Sequence, residues 1–241
     1  MDNIKVNLLH YTPIDIALKA ISKPYRNEKP TTDLLRRIVN FGHESTIEHI
    51  SFNFEIIGIS RLCLQEIVRH RIASYTVEST RYTLHKMLKE FEPFLFSNGN
   101  IKQLSVDIDA NKTEILGLIN KYFVNPYNII ESETCYYSDI ALMDLYYSNM
   151  FSQIESLFNS YYFVKEMLNI RRIEERPEDF LKYNLLESKR TELVMTINLR
   201  SMRNFLRLRD SKKAHFEIRK VAELMKEEIL KTEFAFLLES K

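Results

Sequence analysis

Arg69, Arg71 and Arg81 fall within thirteen residues and share that stretch with the hydroxyls of Ser74, Thr76, Ser79 and Thr80. Guanidinium forks match phosphate oxygens two at a time, and hydroxyls and backbone N–H groups complete such a cradle, so the segment reads as an anion site. A solvated charged loop has no need of this mixture beside Ile72, Ala73 and Tyr82. A second basic stretch runs from Arg200 to Lys220, with eight basic and two acidic residues in a chain of formal charge +1. On a helix Arg200 and Asn204 are i, i+4 neighbours and can face one ligand. Some of Arg203, Arg207, Lys212, Arg219 and Lys220 read as solvated face, Arg207 first among them.

A third polar segment is Gly42-His43-Glu44-Ser45-Thr46-Ile47-Glu48-His49. Metal ligation would need histidines one helical turn apart, as in H-E-x-x-H, or a glutamate three residues before a histidine. His43 and His49 are six apart, and none of the six histidines has that glutamate, so no metal site is expected. Glu44 and Glu48 serve equally as charges at a helix amino terminus. Cys63, between Leu62 and Leu64, and Cys135, in an aromatic run, read as buried inert thiols rather than nucleophiles.

The elements that must carry these groups can be read from periodicity. Ile4–Leu8 alternates apolar and polar residues as a half-buried strand does, and so do Ile50–Ile56 and Leu193–Ile197. Residues 13–41 read as helical, broken near Asn27-Glu28-Lys29-Pro30, with Thr31 or Thr32 capping the second helix and Gly42 ending it. A short helix is expected over Ser60–Arg69 and another over Asn198–Leu208. A final amphipathic helix capped by Asp210 or Ser211 carries the stripe Ala214, Ile218, Val221, Ala222, Met225, Ile229. Ser74–Tyr82 looks too polar and broken for a regular core element, and Lys86–Asn111 reads as a variable connection. Tyr136–Val164 is an aromatic-rich helical stretch suited to a core or a subunit interface. The expected fold is therefore mixed α/β: a single catalytic domain over 1–241, with a small sheet flanked by helices and a mainly helical middle region over about 86–178.

Composition narrows the function. The chain has 241 residues, 45% of them hydrophobic, enough for a sizeable core. Its four glycines, Gly42, Gly58, Gly99 and Gly117, cannot spell G-x-G-x-x-G or G-x-x-x-x-G-K. A nucleotide would have to be held by side chains and helix ends. The balance of 34 basic against 33 acidic residues argues against a general polyanion binder, so no nucleic-acid partner is expected. No apolar run approaches membrane-spanning length and the amino terminus has no secretory pattern, so a cytoplasmic protein without a membrane partner is expected. An RNA- or nucleotide-binding protein and a helical metal-carboxylate enzyme stand as rival readings, weakened by the neutral charge and by the missing ligand spacing.

The fourteen residues from Arg69 to Tyr82 resemble the signature R-H-R-x-x-S-x-N-E-x-S-x-R-Y of flavin-dependent thymidylate synthases, matched at Arg69, His70, Arg71, Ser74, Ser79, Arg81 and Tyr82. Gly42-His43-Glu44-Ser45 with Glu48-His49, and Asn198-x-Arg200-Ser201 with Asn204 and Arg209, agree in order and context. The resemblance implies a homotetramer with active sites built from several subunits. It also implies FAD as cofactor, with dUMP, NADPH and methylenetetrahydrofolate as substrates of a methyltransferase that forms dTMP for dTTP biosynthesis. By position, FAD would be held by Ser45, Arg69, His70, Arg71, Asn198, Arg200 and Asn204. dUMP would be held by Glu66, Glu78, Ser79, Arg81, Tyr82, Lys182 and Arg209. Arg209 would polarise the uracil and His43 would lie near flavin and folate.

The chain departs from the signature in places. Thr76 and Val77 stand where it has Asn and Glu, and Glu78 lies one place later. Glu66 stands where the family often has Gln, and Lys182 replaces a dUMP-binding Arg, keeping charge but losing the fork. Lys213 falls where the resemblance implies a flavin-side His.

Overall fold

The computed structural model describes residues 4–24, 26, 29–97, 100–101, 108–126 and 137–238. Along the chain come β1 (Lys5–Tyr11), α1 (Ile14–Ser22), α2 (Thr32–Asn40), a 3-10 turn (Glu44–Ile47), β2 (Ser51–Ser60), α3 (Arg61–Ile67) and β3 (Ala73–Val77). There follow α4 (Thr80–Leu95), the two-residue strands β4 (Phe96–Ser97) and β5 (Asn100–Ile101), α5 (Ile108–Tyr122), α6 (Tyr137–Arg171) and α7 (Pro177–Leu181). A second 3-10 turn (Lys182–Asn184) leads to β6 (Arg190–Asn198), α8 (Leu199–Arg209), α9 (Phe216–Leu230) and α10 (Ala235–Leu238). The chain divides into two compact units, Met1–Val77 with Thr191–Lys241, and Glu78–Arg190.

The first unit is built on a four-stranded sheet of order β1-β2-β6-β3, with β1 antiparallel to β2 and β3 antiparallel to β6. Strand β2 buries Phe52, Phe54 and Ile56, and β6 buries Leu193, Met195 and Ile197. That period of two is what one covered face requires. The cover is α9, which packs on β1, β2, α3 and α8 and buries Ile218, Val221, Ala222, Met225 and Ile229. Each such large apolar side chain contributes roughly 1.5–3 kcal/mol on leaving water. Thr31 caps α2 by accepting from Leu34 N at 3.3 Å, and beyond the C-cap Phe41 the chain turns through Gly42 at φ 88°.

The second unit packs α4, α5 and α6 around Leu84, Met87, Phe91, Ile115, Ile119, Ile154 and Phe158. Its rim is tied by Lys121 to Glu90 at 2.5 Å and by the Tyr162 hydroxyl donating to Glu92 at 2.7 Å.

The expected class, a small sheet flanked by helices with a helical middle region, is the one observed. Three elements differ from expectation. Ser74–Tyr82 contains strand β3, whose Ser74 and Thr76 are exposed on one face while Ala73, Tyr75 and Val77 on the other are half-buried against the core. Residues 86–95 continue α4, because Met87, Leu88 and Phe91 recur at helical spacing onto one apolar cluster. The cap of α9 is His215, whose Nδ1 lies 3.4 Å from Glu217 N. Asp210 instead closes α8 and pairs with Lys226 at 2.9 Å.

Candidate active site

The site is anchored by a buried polar joint. Ser60 ends β2 and caps α3, its Oγ accepting from Cys63 N at 3.0 Å. The Glu217 carboxylate, 2% exposed, accepts from Ser60 N at 2.6 Å and from Ser60 Oγ at 2.5 Å. This locks the start of α3 to the first turn of α9. Cys63 is buried there, and burial, then Glu217, pushes its thiol well above the ordinary range, so it is no nucleophile. Cys135 lies outside the described residues.

Helix α3 ends in the arginine segment, whose turn is held by the Tyr75 hydroxyl. That oxygen lies 2.6 Å from the His70 carbonyl and 3.1 Å from that of Ile67, and burial pushes its pKa up to about 12, so it remains a donor. At the end of α8, Arg209 donates from Nε to His70 Nε2 at 3.0 Å, from Nη1 to Glu66 Oε2 at 2.7 Å and from Nη2 to the Glu66 carbonyl at 3.3 Å. Arg69 reaches Glu66 Oε1 at 3.0 Å. A guanidinium only donates, so His70 Nε2 must accept and the ring is neutral with its proton on Nδ1. Its pKa is lowered accordingly, by burial first and by Arg209 second, against the opposing pull of Glu66. The ring is braced edge-on by Phe205, centroids 4.7 Å apart.

Arg69, His70 and Arg209 border a cleft of about 1210 Å³ within the first unit, above the ~300–1,000 Å³ usual for small-molecule sites. Six of the seven expected FAD residues line it: Arg69, His70, Arg71, Asn198, Arg200 and Asn204, and so does Arg209. Ser45, the seventh, and His43 are exposed on and before the first 3-10 turn and are not among the lining residues. The lining holds six arginines and one lysine against three carboxylates, a net positive surface suited to a polyanionic ligand. Arg200 pairs with Glu48 and lies 3.6 Å from Glu44, and Arg203 pairs with Glu44. Arg203, read from sequence among the solvated residues, thus lines the cleft and is only 20% exposed at its side chain. Asn198 Oδ1 caps α8 by accepting from Ser201 N at 2.8 Å, and Asn204 Oδ1 accepts from Arg207 at 2.8 Å.

Of the residues expected to bind dUMP, Glu66 and Arg209 belong to the first unit, and Glu78, Ser79, Arg81, Tyr82 and Lys182 to the second. Within the second unit Arg81 and Lys182 converge on a residue the sequence reading passed over. The Asp179 carboxylate accepts from Arg81 Nε at 3.1 Å, lies 3.0 Å from Arg81 Nη2, and accepts from Lys182 Nζ at 2.6 Å. Those hydrogen bonds, that of Lys182 first, hold the Asp179 carboxyl below the usual carboxylate range. Next to it Glu178, buried, meets His85 Nδ1 at 3.0 Å. The Ser79 carbonyl accepts from Tyr82 N and Thr83 N at 3.2 and 3.3 Å, opening α4, and Tyr82 is 75% exposed. The missed signal was local: acids at 178–179 just after Pro177, at the start of a helix.

A small sheet whose helix ends present arginines to a large cleft of net positive charge defines the class, a mixed α/β protein with a cationic site. The sequence model of the thymidylate synthase complementing protein family matches residues 7–233. The chain is 34% identical over 224 residues to a flavin-dependent thymidylate synthase of Helicobacter pylori, covering 90% of this chain and 88% of that one. It is 33% identical over 246 residues to one of Campylobacter jejuni, covering 98% and 96%. A crystal structure of thymidylate synthase X from Helicobacter pylori with FAD and dUMP superposes with a TM-score of 0.67 at 32% identity, covering 98% of each chain. The chain belongs to this family, the flavin-dependent thymidylate synthases, and its class of activity is theirs, methyl transfer with a flavin. No helix among the described residues is long and apolar enough to cross a membrane.

Proposed function

We propose that the chain converts dUMP to dTMP with methylenetetrahydrofolate as carbon donor and NADPH as reductant, using bound FAD. It works as a cytoplasmic homotetramer whose active sites draw on several subunits, with 1–241 acting as a single catalytic domain. The observation that carries this reading is the cleft that gathers Arg69, His70, Arg71, Asn198, Arg200, Asn204 and Arg209.

The donor set of that cleft fits FAD. Its cations match a pyrophosphate, and its amides and the N–H groups opening α8 suit the remaining polar groups, with no glycine loop needed. Arg71 has no carboxylate partner among the described residues and is open to a phosphate. Ser45 and His43 belong to the same assignment, His43 toward flavin and folate. FAD, when bound, supplies the hydride that reduces the transferred one-carbon unit.

The chain's own residues do the rest. Ser79, Arg81 and Lys182 hold the dUMP phosphate, and Tyr82, Glu66 and Glu78 complete the substrate pocket. Glu78 takes the place of the signature carboxylate that Val77 lacks. Arg209 faces the uracil. Its guanidinium is fixed at three points before substrate arrives, so the hydrogens left on its Nη atoms stabilise negative charge developing on the ring without reorganising. Neutral His70 secures that orientation and adds no competing charge.

The test is a visible spectrum after incubation with FAD and desalting, followed by dUMP. A retained oxidised-flavin band that shifts with dUMP, and dTMP formation when folate and NADPH are supplied, are expected. A folded protein that retains no flavin would overturn the reading.

A further inference from the structure

The cations assigned to the substrate phosphate carry their own counter-ion. Arg81, on the first turn of α4, and Lys182, just past α7, both spend hydrogen bonds on the Asp179 carboxylate, whose Oδ1 is shared between them at 3.1 and 2.6 Å. Asp179 is not held by that pairing alone. Its neighbour Glu178 meets His85, which stands four residues after Arg81 on α4, so two consecutive acids of α7 grip two successive turns of α4. The carboxylate is fixed beside the cations and takes up the Nε–Nη2 edge of the Arg81 fork. No other group among the described residues takes the Nη1 side of that fork or the remaining hydrogens of Lys182, which are free to face a ligand. The charged groups facing this point are Arg81, Lys182, Asp179 and, one turn on, the His85–Glu178 pair.

We propose that Asp179 sets the charge selectivity of the phosphate pocket, favouring a nucleoside 5′-monophosphate over the corresponding di- and triphosphate. The inference rests on the assignment of Arg81 and Lys182 to the dUMP phosphate. Two cations and one carboxylate leave a single net positive charge. Any phosphate that engages the cations feels the carboxylate behind them, and the repulsion grows with each charge the ligand adds. Loss of order in Arg81 and Lys182 would weaken every phosphorylated ligand alike, whereas loss of the negative charge favours the more highly charged one. The ratio of affinities isolates the second effect. One unit charge acting across roughly 6 Å of water on about two additional ligand charges changes that ratio about tenfold at low ionic strength.

The experiment is calorimetric titration of the FAD-loaded protein with deoxyuridine, dUMP, dUDP and dUTP at low and high salt, for wild type, Asp179→Asn, Asp179→Glu and Arg81→Ala. In Asp179→Asn the affinity for dUTP relative to dUMP should rise about tenfold at low salt, with dUDP between, and the gain should shrink as salt screens it. Deoxyuridine, which carries no phosphate, should bind as it does to wild type, and Asp179→Glu should restore the wild-type ratio. An unchanged ratio, dUTP binding that stays undetectable, or equal weakening of all four ligands would overturn the proposal. If Arg81→Ala binds dUMP as wild type does, the phosphate assignment itself fails. That result is separate from a failure of Asp179 alone, in which Arg81→Ala still loses dUMP.

Discussion

Replacing Arg209 by lysine tests whether the site depends on a positioned fork or only on a positive charge. The guanidinium is held at His70 Nε2, at Glu66 Oε2 and at the Glu66 carbonyl, and is only 18% exposed at its side chain. Its aim is thus set by the protein before any ligand binds. A lysine ammonium reaching the Glu66 carboxylate cannot also satisfy His70 Nε2, and it has no second arm to present to a pyrimidine. Removing one preorganised donor from such a site typically costs 10²–10³-fold in kcat, about 2.7–4 kcal/mol. Lysine keeps the charge, so the lower end applies, and Arg209→Lys should lose about a hundredfold in kcat, with flavin still bound through Arg69, Arg71 and Arg200. The assay is dTMP formation at saturating dUMP and folate by FAD-loaded protein, alongside the flavin spectrum and circular dichroism. A variant that is folded, yellow and within about threefold of wild-type kcat would refute the role given to the fork.

Glu217→Ala removes the acceptor of two buried donors on Ser60, a loss of about 3 kcal/mol that should lower Tm by roughly 6–12 °C. Tm within about 2 °C of wild type would show that the joint is not needed. Tyr75→Phe deletes the hydroxyl that holds the carbonyls of Ile67 and His70, and should cost about 1 kcal/mol and loosen FAD retention on desalting; equal retention would count against that turn as part of the flavin site. His70 has a folded-state pKa below the ordinary 6.5, so between the two values the unfolded chain binds more protons. Its contribution to stability is present above the ordinary value and declines as pH falls toward the folded one, and His70→Gln should flatten the pH dependence of urea unfolding in that window. An identical slope in the variant would remove His70 as its source.

The sheet was legible wherever burial obeys a period. The alternation in β2 and β6 marks one covered face, and the stripe from Ile218 to Ile229 identifies the helix that covers it. Strand β3 escaped because its alternation of Ala73, Tyr75 and Val77 with Ser74 and Thr76 lasts only five residues and runs straight into the polar Glu78-Ser79-Thr80-Arg81. The arginine residues could be read because guanidinium chemistry and their tight spacing leave few alternatives. Their partners could not. Glu66 pairs with Arg209 across 143 positions and Arg81 with Asp179 across 98, and a carboxylate that orients a distant arginine looks in sequence like any surface acid. Asn198 shows the opposite ambiguity, since its Oδ1 is the cap of α8 as well as part of the cleft wall, a double use that only coordinates reveal.

The pairing of arginine with carboxylate recurs through both clusters and bears on the rival nucleic-acid reading. Arg69 and Arg209 share Glu66, Arg200 leans on Glu48, Arg203 on Glu44, and Arg81 on Asp179. A protein that grips nucleic acid gains affinity by releasing counterions from many phosphates, and each cation already neutralised by its own chain subtracts from that gain. Here the carboxylates hold planar forks at fixed angles and leave selected edges open, which favours one small phosphorylated ligand in one orientation over a long polyanion. Such pairs at an exposed surface add little to stability, so their number is better explained by aim than by folding. Arg71 is the exception in the first cluster, with no carboxylate partner among the described residues, so positive charge is left over where a small anion would be met.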